Sequence, residues 1–403
     1  MVRFKWFAVV GAMLLVVAGC SDSPPRSSPA TFVAAGAATS VAAPASGVAH
    51  MQTAEGLLTV DLASGKSTFL DGLVNADWTR VASVSNGVAR IVDVESREEV
   101  RTANVPEGLQ AAAISADGSL VAYSDAPEYG LHGLPKGRPT TRVATFSAMT
   151  STLRVLDLAG NYVPEAFSTD GRHLFLLDYV PAAAPDHYEV RMVDLVTGAM
   201  TDVGGRPKDV TLAEQMQGNV RTSLYSPNRQ MLFTLYSQDG EEGKAFIHAV
   251  NLHEKWSYCI DLPDSGRFGD GQATMAMASD DKLYVIGDSG QIAQIDAQPY
   301  GLTVERSVQL PAATPAKNRP TAAVESNRLI IGHDERVFFV DRSTLRVDRT
   351  VTLTGAVAGL TGDGQGRLAI ATPGAIEVFE QPAHTRVAGF DMKLPVIVRF
   401  DLE

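Results

Sequence analysis

The tightest constraint on this chain is a spacing. Polar turns recur at Ser85-Asn86-Gly87, Ala116-Asp117-Gly118, Thr169-Asp170-Gly171, Pro227-Asn228-Arg229, Asp280-Asp281, Ser326-Asn327 and Asp363-Gly364, at intervals that average about 46 residues. Each turn lies between two short apolar runs, the pattern of a hairpin with two buried strands. A third segment follows and ends in Asp or Asn: LLTVDL at 57–62, VARIVDV at 88–94, VRMVDL at 190–195, IHAVNL at 247–252, IAQID at 292–296 and VFFVD at 337–341. In DLASGKSTFL and DLVTGAMTDV a Ser/Thr-Gly turn then leads to a shorter, more polar strand. The Asp at the strand end is read as a turn residue whose carboxylate accepts backbone N–H groups. Short strands repeating every 40 to 50 residues or so are propeller blades, so the expected fold is an all-β propeller.

Closure sets the blade count. Seven inner hairpins are visible, and residues 47–72 supply strands that lack an innermost partner. The C-terminal run Val396-Ile397-Val398-Arg399-Phe400-Asp401 alternates well and follows an otherwise complete blade. Pairing it with the N-terminal strands removes a free sheet edge, an aggregation hazard. This predicts eight blades, with seven as the alternative if residues 47–72 merely finish the last one.

The segments FSTDGRHLFLLDY at 167–179 and VRMVDLVTGAMTDV at 190–203 resemble the repeats of YVTN-type and WD40-like bacterial propellers, in which a Ser-x-Asp-Gly turn joins the two inner strands. The resemblance extends over residues 46–403. The stretch SPNRQMLFTLYSQDGEEGKAFIHAVNLHEKWSYCIDLP is similar to secreted actinobacterial propellers of no assigned activity. The Gly-His and Trp-Asp pair of true WD40 repeats is absent, so their scaffold role is not implied. This architecture hosts binding modules, scaffolds and enzymes alike.

The first twenty residues, MVRFKWFAVVGAMLLVVAGC, place Arg3 and Lys5 before an apolar run from Trp6 to Ala18 and end in Val17-Ala18-Gly19-Cys20. The run is too short to span a bilayer as a stable helix and reads as a secretory signal over residues 1–19. Its end resembles the bacterial lipobox, which implies that Cys20 becomes the diacylated N-terminus, with palmitate as an acyl chain, a stable two-chain anchor. Residues 20–46 then form a disordered Ser/Pro/Ala tether, and residues 47–403 the single propeller domain. The expected location is the extracytoplasmic side of the cell membrane. With 9 Lys among 34 basic residues and abundant Ala, the composition points to an actinobacterial source.

The formal charge is −12, and loss of Arg3 and Lys5 with the signal leaves −14. Such an acidic surface argues against nucleic acid as a partner, because phosphate binding needs basic surface. With Cys20 lipidated, Cys259 in WSYCIDLP has no disulfide partner and is read as a buried structural thiol.

Loops between second and third strands, and between blades, gather on one face around the channel, where function concentrates. The longest runs from Asp125 to Arg142. The candidate binding-face residues are His132, Arg138, Asp186, His187, Arg267, Asp270, His333 and Asp334. His132, His187 and His333 with their neighbouring acids could ligate a metal if they converged. They sit on separate blades without local ligand spacing, so the expectation is dispersed, solvent-facing histidines, no metal site and no cofactor. No Gly-x-Ser-x-Gly elbow supports a triad, GRFGDGQ at 266–272 carries no Walker Lys, and DSGRFGDG lacks the EF-hand spacing. The expected function is therefore a non-enzymatic binding module for an envelope protein, peptide or small molecule. An enzyme with its site in the channel, or a metal-handling lipoprotein, is the alternative.

Overall fold

The computed structural model describes residues 31–33 and 47–402, apart from 130–133, 206–215, 238–244, 264–267, 269–271, 312–314, 381–384, 393, 395–396 and 398. The expected signal peptide and Cys20 lie outside the described residues, as do His132, Arg267 and Asp270.

Every regular element among the described residues is a strand, and the strands form eight sheets. Blade 1 is built from both ends of the chain: Arg399–Leu402 lies innermost, followed by Val48–Gln52, Gly56–Asp61 and Ser67–Asp71. Its antiparallel register places Ala49 opposite Leu402 and Gln52 opposite Arg399. Blades 2 to 8 follow in chain order. Their innermost strands are Leu73–Val74, Leu109–Ile114, Tyr162–Phe167, Asn219–Tyr225, Thr274–Met277, Thr321–Glu325 and Gly359–Gly362. Two short strands add parallel to outer edges: Thr31–Val33 beside Val347–Thr352 of blade 7, and Gly204–Gly205 beside Trp256–Asp261 of blade 5. The first of these falls within the segment read as tether.

The second and third strands of each blade are apolar on both faces because each blade is sandwiched between two others. Alternate side chains serve opposite neighbours. In Met231–Ser237, Phe233 and Leu235 pack toward blade 6 while Leu232 and Tyr236 pack toward blade 4. In Arg328–His333, Leu329 and Ile331 pack toward blade 6 and Ile330 toward blade 8. Eight apolar clusters result, each joining two consecutive blades. The cluster between blades 8 and 1 (Ala369, Ile376 and Val378 against Met51, Val60 and Phe400) completes the ring. The eight-bladed count holds, and the C-terminal strand closes it.

Local turn chemistry explains the spacing. At the ends of third strands, Asp61, Asp194 and Asp341 accept backbone N–H bonds from residues two or three further on, and Asn251 does the same in blade 5. The inner hairpins of blades 3, 4 and 5 share one Ser-x-Asp/Asn turn. In blade 3, Ser115 Oγ donates to Asp117 at 2.6 Å and accepts the Leu120 N–H at 2.9 Å. Ser168 and Ser226 make the matching bonds to Asp170 and His173, and to Asn228 and Met231.

Candidate functional site

The ring encloses a channel of about 710 Å³, lined by the inner strands of blades 5 to 8 and blade 1 together with the first turn of blade 2. Consecutive residues of each strand reach it, such as Thr274, Met275, Ala276 and Met277 of blade 6, so the strands present an edge rather than a face. Small residues, for example Ala322, Ala358 and Gly359, leave the channel open. A cavity of this volume falls in the range of small-molecule sites.

Blades 3 and 4 contribute nothing to this lining, because the ring is pinched. The turn of blade 5 reaches across to the turn of blade 2, where Arg229 Nη2 lies 2.5 Å from Asp77 Oδ1. Tyr225 Oη donates to the Ile114 carbonyl of blade 3 at 3.5 Å, and Asn75 Nδ2 to the Ala116 carbonyl at 2.9 Å. A second cavity of about 530 Å³, among the inner turns of blades 3, 4 and 5, lies on the other side of Arg229. Arg229 borders both cavities.

Among the described residues, four charged ones line the main channel: Asp77, Arg229, Arg399 and Asp401. Burial raises the Asp77 carboxyl above its usual value even though Arg229 pulls the other way. Arg399 stacks over the Trp78 ring with its guanidinium carbon 4.8 Å from the ring centre. Surrounding protein lowers its affinity for the proton, opposed by the charges of Asp401 and Asp77. Trp78, with φ +61°, is held in the turn by its N–H bond to the Asn75 carbonyl.

The residues singled out from sequence have structural tasks. Arg138 donates to Asn161 Oδ1 at 2.8 Å, to the Asp125 carbonyl at 3.2 Å and to the Tyr162 carbonyl, pinning the long loop onto blade 4. His187 and His333 are buried, which corrects the expectation that they face solvent. His187 Nδ1 engages the exposed carboxylate of Asp186. His333 is fully buried, its Nε2 2.6 Å from the Asp288 carbonyl and its ring edge-on to Phe338. The physical reason is register: both lie at strand ends, His333 against the Asp288 turn of blade 6 and His187 opposite Val180 and beside Asp186 and Glu189 of its own blade. Asp334 at φ +51° accepts the Lys317 N–H at 3.0 Å and the Asn318 N–H at 3.4 Å. His187 belongs to blade 4 and His333 to blade 7, so the structure does not bring them together. Among the described residues, no group of three or more His, Cys, Asp or Glu is arranged to hold a metal ion. Cys259 is a half-buried thiol outside any disulfide, with its Sγ 3.5 Å from Met216 Sδ.

Asp77, Trp78, Arg229 and Arg399 escaped the sequence reading. Arg229 left a visible signal: it occupies the left-handed position, φ +60°, that glycine holds in the same turn of blades 3 and 4 (Gly118, φ +70°; Gly171, φ +66°). An arginine there costs about 1 kcal/mol of backbone strain.

No family model matches the chain, and no curated protein matches it. Among solved structures, Sqt1 of Saccharomyces cerevisiae is 11% identical, with 78% of this chain and 83% of that one covered and a TM-score of 0.48. BamB from Moraxella catarrhalis is 11% identical over 80% of this chain and 92% of its own, at a TM-score of 0.42. The hydrazine synthase of Kuenenia stuttgartiensis is 11% identical over 77% and 95%, at 0.41. Likenesses this distant carry no statement about what this chain does, and the eight-bladed ring rests on its own strand pairing.

Proposed function

We propose that the chain is an exported bacterial lipoprotein, of actinobacterial composition, whose eight-bladed ring is a non-enzymatic binding module held at the extracytoplasmic face of the membrane by acylated Cys20. The tethering rests on the Val-Ala-Gly-Cys sequence directly behind a short apolar run. The observation that carries the binding role is the channel: about 710 Å³, open, walled by strand edges and small side chains, with charged groups gathered at Asp77, Arg229 and Arg399. Its partner is an envelope protein, peptide or small molecule that enters that channel. The test is to express the full chain in its bacterial host with labelled palmitate and to fractionate the cells. The wild type is expected in the membrane fraction carrying label, and Cys20→Ser unlabelled and outside it; label or membrane retention in Cys20→Ser contradicts the tether.

One observation favours a second reading, an enzyme acting in the channel: a carboxyl with a raised proton affinity, Asp77, faces that space. Turnover of any ester, glycoside or lactone substrate that disappears in Asp77→Asn would favour the enzyme. The metal-handling alternative has less behind it, since His187 and His333 are each engaged by their own neighbours on separate blades.

A further inference from the structure

The channel wall contains a cation without a counter-charge in contact. Arg399 forms no hydrogen bond or ion pair among the described residues, and Asp401 and Asp77 act on it only at a distance. Asp77 is already held by Arg229. The Arg399 side chain is exposed to the channel, and its guanidinium carbon lies over the Trp78 ring, 4.8 Å from the ring centre, so that the ring supports one side of the group while its N–H donors remain without a protein acceptor among the described residues. Directly across the ladder stands Gln52, which also lines the channel and whose carboxamide supplies further N–H donors. Cross-strand partners project from the same face of a sheet, so the fork and the amide sit side by side.

We infer that Arg399 and Gln52 form an anion-binding subsite in the channel, with Trp78 as its platform, and that its ligand is a small organic anion bearing a carboxylate or a phosphate. The planar fork of arginine matches either group through two parallel N–H···O bonds, and such charge-assisted bonds strengthen where water is scarce. The channel volume admits the whole of a small metabolite-sized anion. The inference rests on the channel being a binding site and names the chemistry of its ligand.

The test is calorimetric titration of the full chain, purified in detergent, with succinate and separately with inorganic phosphate. The two probes distinguish carboxylate from phosphate recognition. Saturable one-to-one binding of at least one is expected. Arg399→Gln should weaken it about tenfold or more, Arg399→Lys should retain part of it, and the outer-strand variant Arg101→Gln should leave it unchanged. Because Arg399 lies in the closing strand, Gln52→Met provides a second variant, expected to weaken binding several-fold in a ring whose melting temperature is unchanged. Absence of saturable binding by both probes, or equal binding by wild type and Arg399→Gln, overturns the inference. If channel cross-linking to an envelope partner persists while both probes fail, the anion subsite alone is wrong; if both fail, the binding-module reading falls with it.

Discussion

The Arg229 guanidinium of blade 5 meets the Asp77 carboxylate of blade 2 at 2.5 Å, joining two turns that blades 3 and 4 separate in the ring. The bridge stands between the channel and the cavity among the turns of blades 3, 4 and 5. Half of the Arg229 side chain is exposed, so the pair contributes modestly: a double-mutant cycle with Arg229→Gly and Asp77→Asn should give a coupling of about 0.5–1 kcal/mol. Arg229→Gly alone should be close to neutral in chemical denaturation, because the lost ion pair is offset by relief of the left-handed backbone. A loss of several kcal/mol in Arg229→Gly would mean that the bridge holds the ring together rather than shaping its opening.

Closure depends on Phe400, buried between blades 8 and 1. Phe400→Ala should cost about 3–5 kcal/mol in urea unfolding, the usual range for a core phenylalanine. Truncation before Arg399 should remove the inner strand of blade 1 and produce an aggregating protein, since Val48–Gln52 would expose its edge. A soluble, cooperatively unfolding truncated chain would show that the ring does not need this strand.

His333 is read as a core residue. His333→Ala should destabilise by about 2–4 kcal/mol through the cavity it leaves, while the Asp288 carbonyl keeps its bond from the Ala316 N–H. The zinc and copper content of the purified chain should be the same with and without the substitution. A metal content that falls with His333→Ala would revive the metal-handling reading.

Asp341 supplies a pH dependence with a definite sign. Hydrogen bonds from the Ser343 and Thr344 hydroxyls and the Thr344 N–H lower its pKa from 3.8 to about 2. A depressed folded-state value stabilises above the unfolded-state pKa and is lost as pH falls through the folded one. Asp341→Asn should therefore flatten the fall in melting temperature between about pH 4 and about pH 2. Near neutrality it should change little, because Asn251 makes the same turn in blade 5. Asp341→Ala should lower the melting temperature at neutral pH; equal behaviour of the Asn and Ala variants would deny the turn its role.

The ring was legible in the sequence because its determinants are local and periodic. Each Ser-x-Asp/Asn turn and each strand-ending Asp can be read within five residues, and the alternating C-terminal run announces the closure. The channel was not legible, for the opposite reason: Arg399 meets Trp78 only after the two ends of the chain have paired, and Arg229 meets Asp77 only after the ring is pinched. His333 looked accessible in the linear register because its cover comes from the Asp288 turn of another blade.

The most direct test of a binding channel is site-specific photo-cross-linking in intact cells. A photoreactive residue in place of Ala322, on the channel wall, is compared with one in place of Thr201, on the outer strand of blade 4. The channel probe should yield a reproducible adduct of defined mass, competed away by excess unlabelled chain, and the outer probe should not. Identical adducts from both positions, or none from the channel across repeated preparations, would contradict the proposal that the ring binds through its centre.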